Sequence, residues 1–179
     1  RDNQIVITIA PGKTLAWLAE QFGKNVKIVR TMPNTPAMVG EGMTAACPNE
    51  YMTEEETAYV CTLLESFGRV EIVPERLMDT VVSVSGSSPA YVFMMIEAMA
   101  DAAVSGGMPR PKAYQFAAQA VLGSAKMVLE TGKHPGELKD MVCSPAGTTI
   151  EAVRVLEELG FRSAVFEAMK VCEEMSKGM

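Results

Sequence analysis

The chain has one histidine in 179 residues, no run of lysine or arginine, and no cysteines spaced to share a zinc ion. Each absence removes a class of function. A lone imidazole, His134, cannot assemble a histidine-based metal site, and Cys47, Cys61, Cys143 and Cys172 fit no zinc-ligand pattern. We expect no metal. A formal net charge of −6 without a basic cluster argues against nucleic acid and anionic membrane as partners. With no secretory pattern either, the chain is expected in the cytoplasm with its thiols reduced. It opens on Arg1 and runs at once into strand-like "QIVITIA" (4 to 10). A natural chain rarely begins inside a core strand, so an upstream portion is expected.

Charge is also missing from residues 80 to 96, which raises the question of a membrane span. Gly86-Ser87-Ser88-Pro89 interrupts that stretch, and Glu97 and Asp101 soon follow it. A buried helix of a water-soluble domain is the better reading.

What is present suits one large domain or two small ones. At 48% hydrophobic and 21% charged residues, the chain can bury a proper core. Up to about residue 75 two periods alternate. "QIVITIA", "VKIVRTM" (26 to 32) and "RVEIV" (69 to 73) read as buried strands. Helices are expected over 14 to 22, ended by Gly23, and over roughly 53 to 66, where Thr-Glu-Glu-Glu suits an N-terminus. This is βαβ grammar, hence a mainly parallel sheet.

Beyond a boundary near residues 74 to 79 the pattern is helical, over 89 to 105, 111 to 130, 136 to 142, 148 to 159 and 163 to 176. The first of these is apolar nearly all round, with Met94, Met95 and Met99 read as core filler. A helix apolar on every side must be covered on every side, which about a hundred residues can hardly do alone. A partner subunit is expected.

Several short motifs are weak. "PGKT" (11 to 14) resembles the tail of a phosphate-binding loop, but the required glycine five residues before the Gly-Lys pair is absent, since Ile7 stands there. It is read as a strand-to-helix turn. "RTMPNTPAMVGEGMTA" (30 to 45) follows a strand directly, and its prolines bracket Asn34 and Thr35 at the carboxyl edge where open α/β sheets bind ligands. A tight surface turn explains it equally well. His134 is read as a capping or loop residue, and Glu97 with Asp101 as a solvated or paired edge.

"CSPAGTTIEAVRVLEELG" (143 to 160) is more informative. Ile150, Val153, Leu156 and Leu159 form an apolar stripe, expected to be buried, so Gly147, Thr148 and Thr149 occupy the helix's first turn. The backbone N–H groups there have no partner inside the helix and can bind a carboxylate or phosphate. Gly147 allows close approach, and a threonine one residue on can offer a hydroxyl beside the bound anion. Capping by Ser144 or Thr148 is the simpler alternative. One hydroxyl suffices for that, however, and three are present, so a small-anion site is favoured.

Taken together, "ELKDMVCSPAGTTIEAV", "RTMPNTP", "VSGSSPAYVFMMIEAMADAA" and "GMPRPKA" resemble the pyrroline-5-carboxylate reductase family closely and in the family's order. Ala146 stands where that family usually has a second glycine. The family's opening strand and Gly-rich dinucleotide fingerprint are not in the chain. The resemblance implies a partial Rossmann domain of α/β class over 1–75 and an all-helical dimerisation and substrate-binding domain over 76–179. It implies NADPH or NADH as cofactor, and the small molecule 1-pyrroline-5-carboxylate reduced to L-proline by a homo-oligomer that is at least a dimer.

The implied substrate residues are Ser144, Gly147, Thr148 and Thr149, the Thr149 hydroxyl bonding the ring nitrogen as the catalytic group, with Glu75 at an acidic position near the substrate. Ala10, Pro11, Asn34 and Met141 are implied on the cofactor side. A β-hydroxyacid dehydrogenase is disfavoured, because no lysine follows Gly147 on its helix until Lys170. A non-catalytic dimerisation module is the other alternative.

Overall fold

The computed structural model of the chain describes residues 4–178. They form two compact units, one running up to Pro89 and resuming at Glu167, the other spanning Ala90–Phe166.

The first unit is built on a four-stranded sheet in the order β1 (Ile5–Thr8), β2 (Lys27–Met32), β3 (Gly42–Pro48), β4 (Gly68–Ile72). Two βαβ units compose it. β1 and β2 run parallel, joined through α1 (Leu15–Phe22), and β3 and β4 run parallel, joined through α2 (Glu54–Leu64). β2 and β3 meet antiparallel, with Arg30 opposite Cys47 and Thr31 opposite Ala46. The α/β, mainly parallel sheet is therefore present, with one antiparallel seam.

Local chemistry explains the helix starts. Thr14 accepts the Trp17 N–H at 3.1 Å and Gly23, left-handed at φ 60°, closes α1. "PGKT" is thus a strand-to-helix turn, as read. Thr53 and Glu56 form a reciprocal capping box at the start of α2.

β3 was not anticipated, and it is the strand between β2 and β4. Its Gly-Met-Thr-Ala-Ala-Cys-Pro composition lacks the β-branched run that marks the other strands. Small residues are used because both faces are covered. Ala46 packs with Val29, Val60 and Leu64 on one side, and Ala45 and Cys47 pack with Met78 on the other. At its start a Cβ on Gly68 would lie 2.0 Å from the Gly42 carbonyl oxygen, so that crossing requires glycine.

After Pro74 the chain is helical almost throughout. A 3₁₀ turn (Glu75–Leu77), α3 (Met78–Val81) and a π-helical turn (Val82–Gly86) precede α4 (Ser88–Ser105). Then come α5 (Arg110–Thr131), α6 (Pro135–Val142), α7 (Thr148–Glu158) and α8 (Phe161–Lys177). The π turn breaks the uncharged stretch, and among the described residues no helix is long and apolar enough to cross a membrane.

The compact units do not follow the change of pattern at 74 to 79. Their division falls within α4 and again within α8. The end of α8 belongs with the sheet: the Ser176 hydroxyl donates to Asp79 Oδ1 at 2.7 Å, and the Cys172 thiol lies 3.2 Å from the Ser87 hydroxyl.

The second unit has little core of its own. Its buried apolar residues are the alanines Ala100, Ala113 and Ala117, while Phe93, Phe116 and Leu129 are each more than 60% exposed. Two expectations are corrected here. Met94 and Met99 are exposed rather than core filler, and Leu156 and Leu159 of the α7 stripe stand open rather than buried. The physical reason is common to both. The helices carry more apolar surface than Ala90–Phe166 can cover by itself.

Candidate functional site

In the second unit, α6 ends at Val142 and the chain turns through Cys143 to Gly147 before α7 begins. The Gly147 N–H donates to the Ser144 carbonyl at 3.0 Å, closing a tight turn. Ala146 sits inside that turn at φ 55°, and it is the only non-glycine residue with positive φ among those described. A Cβ on Gly147 would lie 2.4 Å from Ser144 Oγ and 3.0 Å from the Ser144 carbonyl oxygen. A side chain at 147 would thus have to displace the Ser144 hydroxyl and press on its carbonyl, even though the φ of −79° is ordinary.

Gly147 is the N-cap of α7, and no side chain hydrogen-bonds to the cap. Neither Ser144 nor Thr148 performs the capping that the sequence left open. The first-turn N–H groups, which have no intrahelical acceptor, are left to a ligand or solvent at the positive end of an eleven-residue helix. Thr149 is half-buried there, with Ser144 and Thr148 exposed around it. Such a terminus can hold a carboxylate and present a hydroxyl beside it. Met141, on the last turn of α6, is 62% exposed. His134 caps α6 by accepting the Gly136 N–H on Nδ1, and Asp101 pairs with Arg110 on the surface, so both residues take their simpler readings.

In the first unit, β1 and β2 end at the same sheet edge. Ala10, half-buried, donates its N–H to Thr8 Oγ1 at 3.2 Å, and the exposed Pro11 follows it into the turn before α1. The Thr31 hydroxyl donates to the Thr8 carbonyl, tying the two strand ends together. Asn34 knots the next loop. Its Oδ1 accepts the Met43 N–H at 2.9 Å and its Nδ2 donates to the Ser85 carbonyl at 3.0 Å. Its amide therefore fixes backbone within the unit.

Glu75 joins two distant parts of the unit through one oxygen. That oxygen, Oε1, accepts both the Leu15 N–H at 2.6 Å and Arg30 Nη1 at 3.0 Å. Arg30 is only 6% exposed. Burial pushes the nearby Cys47 thiol above its usual range, the Glu75 carboxylate adds to that rise, and Arg30 offsets part of it. Sequence reasoning missed Arg30, although a signal was there: an arginine inside the apolar run "VKIVRTM" demands a partner. Among the described residues no three His, Cys, Asp or Glu side chains gather as a metal would require.

The sequence-derived residues thus fall into two sets. Ser144, Gly147, Thr148, Thr149 and Met141 belong to the second unit, and Ala10, Pro11, Asn34 and Glu75 to the first.

Comparison with known proteins agrees with both units. A family model described as "Pyrroline-5-carboxylate reductase dimerisation" matches residues 75–179. The chain is 64% identical to pyrroline-5-carboxylate reductase of Escherichia coli (strain K12) over 175 residues, covering 98% of this chain and 65% of that protein. It is 47% identical to the Synechocystis protein of the same name, covering 98% and 66%. The chain therefore spans about two thirds of the length of these relatives. Among solved structures, Plasmodium falciparum pyrroline carboxylate reductase with NADP bound superposes with a TM-score of 0.91 at 34% identity, over 98% of this chain and 71% of that one. The Coxiella burnetii pyrroline-5-carboxylate reductase gives 0.92 at 34%, over 97% and 65%. With the family model matching more than half of its residues, the chain belongs to the pyrroline-5-carboxylate reductase family.

Proposed function

We propose that this chain is the larger part of an NAD(P)H-dependent pyrroline-5-carboxylate reductase, which reduces 1-pyrroline-5-carboxylate to L-proline as a homo-oligomer. One observation carries the site assignment: α7 begins at a crowded glycine with no side-chain cap, leaving polar backbone and Thr149 for a small carboxylate. In this reading the N–H groups after Gly147 hold the substrate carboxylate. Ser144 and Thr148 line the turn, and the Thr149 hydroxyl hydrogen-bonds the ring nitrogen. That bond strengthens as the nitrogen passes from imine toward amine, which makes Thr149 the catalytic group.

The described residues suit one side of a nicotinamide cofactor. Ala10 and Pro11 offer a small apolar edge at the end of β1, beside the loop that Asn34 fixes; Met141 is assigned to the cofactor by the family resemblance alone. A bound nicotinamide cofactor supplies the hydride. The chain contributes alignment: it orients the carboxylate, offers a proton-bearing group to the nitrogen, and walls the ring. Preference between NADPH and NADH belongs to the pyrophosphate and ribose contacts of the Gly-rich turn, which is not in these 179 residues.

We assign residues 1–75 to the dinucleotide-binding domain and 76–179 to the dimerisation and substrate domain. The open apolar faces of α4 and α5 support association between copies, and the four free thiols suit the cytoplasm. The test is cofactor oxidation by the full-length enzyme on addition of 1-pyrroline-5-carboxylate, followed by loss of absorbance. No turnover with either cofactor would favour a non-catalytic dimerisation module instead.

A further inference from the structure

We infer that Glu75 is a positioning residue rather than a substrate ligand: it fastens the start of α1, and with it the loop of residues 10 to 14, to the buried Arg30. The inference rests on the proposed function only in assigning that loop to the cofactor.

The contacts themselves are internal to the first unit. Glu75 reaches 60 residues back to the Leu15 N–H and 45 back to Arg30, using the same oxygen for both. Each partner needs it. The Leu15 N–H is a first-turn donor without an intrahelical acceptor, and a carboxylate at a helix N-terminus is also favoured by the dipole. Arg30 cannot shed its charge, and at 6% exposure it requires a counter-ion.

The local cap does not replace Glu75. Thr14 Oγ1 already accepts the Trp17 N–H, so the cap secures α1 to itself but not to the sheet. Glu75 makes that second connection. On its other side the loop is secured by Ala10 bonding to Thr8, and between the two anchors lie Pro11 and the left-handed Gly12. A carboxylate held by two internal donors is poorly placed to spend itself on a substrate. A loop anchored at both ends is pre-shaped for a flat ring.

Two measurements test this. The first is amide hydrogen exchange in the 179-residue chain. In Glu75→Ala the Leu15 amide should exchange on the order of tenfold faster or more, with the amides of α2 unchanged. Since an orphaned Arg30 can unfold the Ala variant, the paired change Arg30→Met with Glu75→Leu removes both charges and should give the same local effect in a folded protein. An unchanged Leu15 amide in that folded pair overturns the inference.

The second is steady-state kinetics of Glu75→Gln in the full-length enzyme. A positioning role raises KM for the cofactor by roughly three- to tenfold and leaves inhibition by a proline-like carboxylate within about twofold. The opposite split, with inhibitor binding lost and cofactor KM unchanged, would make Glu75 a substrate ligand and overturn the inference. If the wild-type enzyme fails to reduce 1-pyrroline-5-carboxylate, the functional reading falls, and the Leu15 amide still decides whether the clamp exists.

Discussion

Thr149→Val in the full-length enzyme isolates one hydroxyl. Valine keeps the shape and β-branching, and no side chain caps α7 in the native protein, so stability should change little. A hydrogen bond to a charged group contributes about 1.5–3 kcal/mol. The expected loss in kcat/KM is therefore roughly 10- to 100-fold, with proline-like inhibitors weakened less than the rate. A variant that melts normally with full kcat/KM would make Thr149 an ordinary helix-start residue.

Ala146 invites the converse experiment. Its φ of 55° costs an L-residue about 1–2 kcal/mol, whereas glycine adds about 0.4–1 kcal/mol of unfolded-state freedom. Ala146→Gly should thus stabilise the chain by up to about 1 kcal/mol, read as a higher urea midpoint with unchanged slope. A lower midpoint would mean that the turn gains from its methyl group.

Much of the candidate site was legible because helix-start chemistry is local: Gly147, Thr148 and Thr149 announce a first turn by position alone. Whether that turn was capped was not legible, because capping depends on where the Ser144 and Thr148 side chains point. The Glu75–Arg30 pair was hidden for a different reason. Its members are 45 residues apart, and no local pattern connects them.

α2 carries a prediction that turns on pH. The Glu56 carboxyl is held below its ordinary value of 4.5, first by the hydrogen bond from Lys27 and then by the Thr53 backbone N–H. A lowered folded value means the carboxylate stabilises the fold fully above the ordinary value. That contribution is lost as pH falls through the lowered one. In thermal melts the advantage of wild type over Glu56→Gln should therefore be constant near neutrality and disappear in acid. An advantage that grows in acid would contradict the assignment. Strands and helices with strong periodicity were readable throughout this chain, whereas β3 was not. Its glycine, alanines and cysteine are chosen for the narrow space between two covered faces, and that demand arises only after the sheet has formed.

The whole molecule should not be monomeric. Exposed Phe93, Phe116, Leu122 and Leu129 on α4 and α5 exceed what a lone soluble unit presents to water. Light scattering at micromolar concentration should give about twice the 19.3 kDa chain mass or more, and a stable monomer would contradict the proposed association. The 179 residues by themselves should show no cofactor oxidation, since the Gly-rich pyrophosphate turn is not among them. Robust turnover by this piece would refute the division of roles.

The return of α8 to the sheet-bearing unit has a consequence for synthesis. That unit is discontinuous in sequence, with residues 90 to 166 lying between its two parts. A ribosome therefore makes every residue of the helical unit before it delivers Cys172 and Ser176 to Ser87 and Asp79. The unit begun before residue 90 is thus completed only after residue 166, and a chain stopped before Cys172 would keep all four strands but leave the sheet-bearing unit without its α8 contacts.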